Sequence, residues 1–320
     1  MDHSTWASGA RAALDRLAPG NAPVDLGTAD AVAATSGQRA WAVVRSGSAG
    51  ALLRTLLRLS RSGPESISVL LAGDLPARLG PVGLSDLSQI LAAANPRVAL
   101  LHLDGGKASP VLEGELLVPL AGSAATIEIE EVRAGLPPGR ELLEVATYFD
   151  GTFLEYLGVP VAGLRKGELT VGIDRRDQEM MAEAEPTSEG RLAAAGRLLE
   201  VVLAARNGRL GRHDLSEFAP GRRLRSEAIA ASPSMLPLEV SESGGSGARA
   251  YAVEGGDLWC FGRGTDPYLV VEGAVVARAV EGVSRIRFSA SPAPHPGLVE
   301  LAGMLATGCA AEFKGYVSVG

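Results

Sequence analysis

The feature that most constrains this chain is a set of three short apolar segments held apart by helical stretches. Arg39–Arg45 (RAWAVVR), Ser66–Ala72 (SISVLLA) and Val98–Leu103 (VALLHL) are compact apolar runs. Strands buried on both faces of a sheet have this pattern, because no side of them meets water. Between the first two, Leu52, Leu53, Leu56, Leu57 and Leu59 trace an apolar helical stripe, with Arg54, Arg58 and Arg61 on the other side. Between the second and third, Leu84–Ala94 reads as a helix, with Ser85 as its expected N-cap. Strand, helix, strand, helix, strand with short loops predicts a parallel sheet with right-handed crossovers. Residues 4–17 add an N-terminal helix that stops at Pro19-Gly20. The expectation for 1–122 is a Rossmann-like α/β domain.

The pattern changes beyond that point. Gly114–Leu120 and Ala125–Arg133 (ATIEIEEVR) alternate and read as half-exposed strands. Thr152–Leu157, Val159–Leu164 and Glu168–Ile173 follow at the spacing of a meander. Asp177–Glu185, Ser188–Arg206 and residues 222–231 read as helices. The expectation for 123–235 is therefore an α+β domain. Ser241–Gly247 (SESGGSG) reads as a linker or long hairpin tip. After it, Arg249–Val253, Asp257–Phe261, Tyr268–Glu272, Val275–Val280, Ser284–Ser289 and Glu312–Val319 read as strands, with a helix at Leu298–Ala306. The expectation for 236–320 is a β-rich C-terminal region.

Composition limits the chemistry. Only 4% of residues are aromatic, and the formal charge is −7. That combination disfavours stacking on bases and broad, non-specific nucleic-acid binding, both of which need rings or clustered cations. One basic stretch stands out, from Arg206, Arg209 and Arg212 to Arg222, Arg223 and Arg225. Cys260 and Cys309 form no CxxC pair, and His3, His102, His213 and His295 show no zinc spacing. A metal site would then rest on carboxylates, which favours Mg²⁺ or Mn²⁺. The first 20 residues contain Asp2, Arg11, Asp15 and Arg16 and no apolar core, unlike a signal peptide. The weakly polar run Leu116–Ile127 is too short to span a bilayer and is broken by Pro119. No membrane association and a cytoplasmic location are expected.

Two constellations carry possible chemistry. The first is the loop Ser46-Gly47-Ser48-Ala49-Gly50, set between a strand and a helix, where backbone N–H groups and the helix dipole favour an anion. Ser46, Gly47, Ser48 and Gly50 are its candidate cofactor-binding residues. Asp104, at the end of the third strand, joins them at the carboxyl edge of the sheet, with Gly73-Asp74 between. The loop matches neither GxGxxG nor GxxxxGK[ST]. His102 and Asp104 share a strand face, which allows a His–carboxylate pair. The second constellation is acidic: Asp150, Glu155, Glu168 and Asp174 are candidate catalytic residues, and Asp150 and Asp174 candidate metal ligands. Asp177 opens the following helix and is its expected cap.

Three strands followed by a helix, with acids on the strands, is similar to the PD-(D/E)xK nuclease core. That family carries acid-x-Lys on its third strand, whereas this chain reads Gly172-Ile173-Asp174-Arg175. The segments AWAVVRSGSAGALLRTLLRLSRSGPESISVLLAG and VAGLRKGELTVGIDRRDQEMM also resemble a group of uncharacterised bacterial proteins from high-GC genomes. In that group a His-Asp-Arg-Glu tetrad follows the strand, where this chain has Arg176-Asp177-Gln178-Glu179. Two functional expectations follow. The first is a non-catalytic α/β protein that binds a protein partner or a small anionic ligand, without a cofactor. The second is a metal-dependent phosphodiesterase or nuclease-like protein, intact or decayed, using Mg²⁺ or Mn²⁺.

Overall fold

A computed structural model describes residues 3–20, 22–76, 78–79, 82–104, 106–111, 125–148, 151–205, 208–215, 219–238, 240 and 248–315. In chain order its elements begin with α1 (His3–Leu17), β1 (Ala22–Val24), β2 (Ala31–Ser36), β3 (Arg39–Arg45), α2 (Ala49–Ser60) and β4 (Ser66–Ala72). The two-residue strands β5 (Arg78–Leu79) and β6 (Val82–Gly83) precede α3 (Leu84–Ala93), β7 (Arg97–Asp104) and β8 (Lys107–Pro110). Next come α4 (Ala125–Ala134), β9 (Glu144–Tyr148), β10 (Gly151–Tyr156), β11 (Val159–Arg165) and β12 (Glu168–Val171). Then follow α5 (Arg175–Ala184), α6 (Ser188–Ala205), β13 (Arg209–Leu210), β14 (His213–Asp214) and α7 (Pro220–Ala231). The chain continues through β15 (Leu236–Leu238), β16 (Ala250–Glu254), β17 (Asp257–Gly262), α8 (Pro267–Ala279), β18 (Arg285–Ala290), α9 (Pro296–Leu305) and β19 (Ala310–Gly315).

The protein is a mixed α/β molecule whose described residues fall into two compact units. The first unit comprises residues 1–117, 265–286 and 294–312. Its sheet has the order β1-β2-β3-β4-β7-β8. The centre, β3-β4-β7, is parallel, while β1, β2 and β8 pair antiparallel at the flanks. Ala42, Val43, Val69 and Leu70 on the central strands are fully buried, as their unbroken apolar runs require. Ala10 and Leu14 of α1 pack against Ala34, Val43 and Leu70 on one face. On α2 the buried side is Leu52, Leu53, Leu56 and Leu59, and α8 and α9 pack with α2 and α3.

The second unit comprises residues 118–264, 287–293 and 313–320. Here β12-β11-β10-β9 form an antiparallel meander. Ile129 of α4 and Ala194, Ala195 and Leu199 of α6 close its core over Leu154, Val161 and Val171. Phe153 lies directly across from Gly163 in the register, and a Cβ at Gly163 would collide with its ring. Glycine at 163 is what lets the ring lie flat on the neighbouring strand. A second sheet, ordered β15-β16-β17-β18-β19, is covered by Leu224 and Ala228 of α7.

Several expectations are corrected here. Ala125–Arg133 is helix, not strand: its alternation of Ile and Glu puts Ile127 in solvent at 70% exposure while Ile129 and Val132, three apart, turn inward. Tyr268–Glu272 and Val275–Val280 are not two strands but one buried helix, α8, so the C-terminal third is less β-rich than expected. Its N-terminal signal is Asp266, whose carboxylate accepts from the Tyr268 N–H at 3.0 Å, with Pro267 in the first turn. Helix α3 is capped by Gly83 rather than Ser85, without a side-chain bond. Cys260 and Cys309 are free thiols. Gly114–Leu120 and Ser241–Gly247 lie outside the described residues. Among the described residues no helix is long and apolar enough to cross a membrane.

Candidate functional site

The turn from β12 into α5 organises the second unit's most convergent group of polar side chains. Gly172 has φ +142°, and a Cβ there would stand 2.8 Å from both the Asp177 Cβ and the Gln178 N. Glycine at 172 therefore allows the first turn of α5 to press against the strand end. Asp174 is the N-cap of α5 and accepts from the Asp177 N–H at 2.9 Å. Asp177 was the expected cap; it instead sits one turn in, with its carboxylate turned toward the β13-β14 hairpin. From that hairpin, Arg212 Nη2 donates to both Asp174 oxygens (2.7 and 2.8 Å) and to Asp177 Oδ1 (2.8 Å). His213 Nε2 lies 2.7 Å from Asp177 Oδ2. Burial pushes the Asp174 carboxyl up. The Asp177 N–H, the Arg212 and His213 charges and the Arg176 N–H outweigh it and hold the group below its usual range.

Beside this cluster opens a cavity of about 760 Å³ between α5, α6 and the hairpin. Its apolar wall comes from Ile173, Met180, Met181, Leu198, Val201 and Leu210. Met180 and Val201 are 60% and 45% exposed, so apolar surface reaches the mouth. Arg176, Arg197 and Arg212 supply cations. Arg197 is paired with Glu185 at 3.2 Å and Arg212 with the two aspartates. Arg176 is exposed, and its side chain makes no hydrogen bond or ion pair among the described residues. No serine, threonine, cysteine or lysine is among the described lining residues, so the wall offers no hydroxyl, thiol or amine nucleophile.

The acidic residues singled out from the sequence do not share this place. Asp150 lies outside the described residues. Glu155 is buried on β10 at 2% exposure, with Arg222 Nη1 3.4 Å from its Oε2. Glu168 is exposed on the edge strand β12, opposite Arg165 in the register. Among the described residues the grouping of metal-ligating atoms is Asp174, Asp177 and His213, all within 4.8 Å of one another, and it includes neither Glu155 nor Glu168. Arg212 Nη2 sits on both aspartates, where a cation would stand. His213 and Arg212 were missed as site residues: they lie far from Asp174 in sequence, in a hairpin whose two-residue strands and turn leave no periodic signal.

In the first unit two of the loops at the carboxyl edge of the sheet, those after β3 and β4, meet. The Ser46 N–H donates to Ala72 O at 3.0 Å, and a Cβ on Gly73 would stand 2.8 Å from Ser46 Oγ. His102 Nε2 lies 3.1 Å from Gly73 O rather than on Asp104. Gly47 takes φ +83°, and Ser48 is the N-cap of α2 without a side-chain bond. The N–H groups of Ser46 and Ser48 bond to Ala72 O and Arg45 O, so two of the loop's donors are already satisfied. Asp104 is exposed at the end of β7, paired in register with Lys107. Gly50 lines a separate cavity along α2. No protein-family model matches the chain, and no curated protein or solved structure matches it either.

Proposed function

We propose that the protein is a non-catalytic binding protein whose second unit takes a small ligand with one anionic head and an apolar body. The observation that carries this is the cavity of about 760 Å³ with a largely apolar wall and an unpaired arginine, Arg176, on it. Such a volume and lining suit a small molecule, and a few placed polar groups then set its orientation. Arg176 meets the head, while Leu198, Met181 and Leu210 meet the body. The described wall's lack of a hydroxyl, thiol or amine, with Asp177 already engaged by Arg212 and His213, supports binding over covalent chemistry. In the first unit the parallel order β3-β4-β7, with α2 and α3 as crossovers, supports a Rossmann-like half framed by antiparallel strands.

Calorimetry with decanoate and decanol as probes tests the reading. Decanoate binds more tightly than decanol, Arg176→Gln removes the difference, and Leu198→Trp fills the cavity and abolishes both. Failure of both probes to bind, or unchanged binding by Leu198→Trp, overturns it.

A second reading, a divalent-metal phosphodiesterase or nuclease-like protein, is favoured by one observation. Asp174, Asp177 and His213 offer three ligand atoms within 4.8 Å. This set differs from the acidic strand set of the nuclease core, and Arg212 must leave before an ion enters. In a thermal-shift titration, Mn²⁺ stabilisation that Asp174→Ala abolishes, and that Arg212→Ala strengthens, favours this second reading. An unshifted melting temperature with Mg²⁺ and Mn²⁺ leaves the first.

A further inference from the structure

Helix α2 and its C-cap carry a row of three cations, of which one is neutralised within the same unit and two are not. Arg54, Arg58 and Arg61 stand at i, i+4 and i+7, on one face and spread over about 10 Å of helix axis. They border a cavity of about 490 Å³ between α2 and α9, floored by Leu53, Leu57, Leu298 and Leu301. Arg61 is matched by Glu300 on α9: its Nε donates to Oε1 at 2.8 Å and its Nη2 to Oε2 at 2.7 Å. The Arg61 hydrogen bonds hold the Glu300 carboxyl below its usual range. Arg54 and Arg58 are exposed, and their side chains make no hydrogen bond or ion pair among the described residues. The Arg54 guanidinium lies over Gly50, 4.0 Å from where a Cβ would stand there. In a chain of net charge −7, two unmatched guanidinium groups one helical turn apart, beside a leucine floor, form a local surface of the opposite sign.

We infer that this groove of the first unit docks an acidic amphipathic helix of a partner protein. The geometry sets the partner's chemistry. Carboxylates one turn apart meet Arg54 and Arg58 in the forked geometry that Glu300 already makes with Arg61. Apolar side chains from the same face of the partner cover Leu53 and Leu57. Two unmatched cations one turn apart along a leucine floor pair a charged edge with an apolar one, which favours an amphipathic helix with repeated acids over a small anion. The site is separate from the cavity beside Asp177, and its test does not depend on the small-ligand reading.

The test uses the full chain and a labelled synthetic helix of about 14 residues, with glutamates at i, i+4 and i+7 and leucines beside them. Fluorescence anisotropy reads saturable binding that weakens as salt rises. The double variant Arg54→Glu/Arg58→Glu, confirmed folded by circular dichroism, weakens it at least about tenfold, a change of about 1.4 kcal/mol. A peptide with lysines in place of the glutamates restores binding to that variant. Arg39→Glu, an exposed and unpaired arginine elsewhere in the same unit, leaves binding unchanged. Three outcomes overturn the inference: no saturable binding, equal weakening by Arg39→Glu, or tighter binding to phosphatidylglycerol vesicles than to the peptide.

Discussion

Two acid–arginine pairs in the second unit have the same chemistry and opposite settings. Glu155 and Arg222 meet in the interior, with 2% and 5% of their side chains exposed. Asp174 and Arg212 meet at the rim of a cavity, at 38% and 41%. The inner pair sits in low dielectric, where losing either partner strands a charge. The outer pair shares its ions with water, so its geometry costs little to rearrange. An acid's identity shows that a charge is present. Its burial decides whether that charge serves the fold or remains available to a ligand.

The contrast is sharpened first by a buried charge with no partner at all. Leu56 is fully buried on α2, and Leu56→Asp should cost about 4 kcal/mol or more and unfold the first unit. Arg58→Asp, on the exposed side of the same helix, should cost less than about 0.5 kcal/mol. Denaturant midpoints of the two variants check this, and equal effects break the helix phase. Next, Arg222→Leu should destabilise by about 3 kcal/mol, and adding Glu155→Leu should recover part of that loss. A double-mutant cycle in urea reads the recovery. Additive losses would mean that the two side chains are not coupled.

At the rim, Arg212→Leu should cost less than about 1 kcal/mol. A loss as large as that of Arg222→Leu would erase the distinction between the pairs. The smallest effect is on pH dependence. Asp174 has a folded pKa below its ordinary 3.8, so its contribution is fully present above about pH 4 and is lost as pH falls through the lower folded value. Asp174→Asn should therefore flatten the acid limb of stability in urea melts taken below about pH 4, with little change at neutrality. An acid limb that remains unchanged breaks the assignment of Asp174 as a hydrogen-bonded cap.

Legibility in the sequence followed the same line between interior and rim. The strands β3 and β4 were readable because both faces are largely buried and the apolar run is unbroken; β7, with Ala99 exposed, was readable from its apolar run alone. The same property hid α8: Leu269 to Ala277 are all buried, so no polar stripe marked a helical period. Only Asp266-Pro267 carried the helix signal. In α4, a chance alternation of Ile and Glu imitated a strand. The candidate site was half legible. Asp174 and Asp177 were marked as acids around a helix start. Their convergence with Arg212 and His213 is tertiary, made by a hairpin too short to leave a pattern.

The first unit is assembled from three stretches, 1–117, 265–286 and 294–312, and α8 and α9 come from the last two. During synthesis the ribosome therefore delivers α2 and α3 long before the helices that cover them. Asn95 waits for Met304, whose carbonyl accepts its N–H at 3.2 Å, and Arg61 waits for Glu300. The continuous stretch 118–264 emerges complete while the nascent first unit is still open. Premature termination anywhere before α9 leaves the leucines of α2 and α3 uncovered, a state that chaperones and proteases recognise.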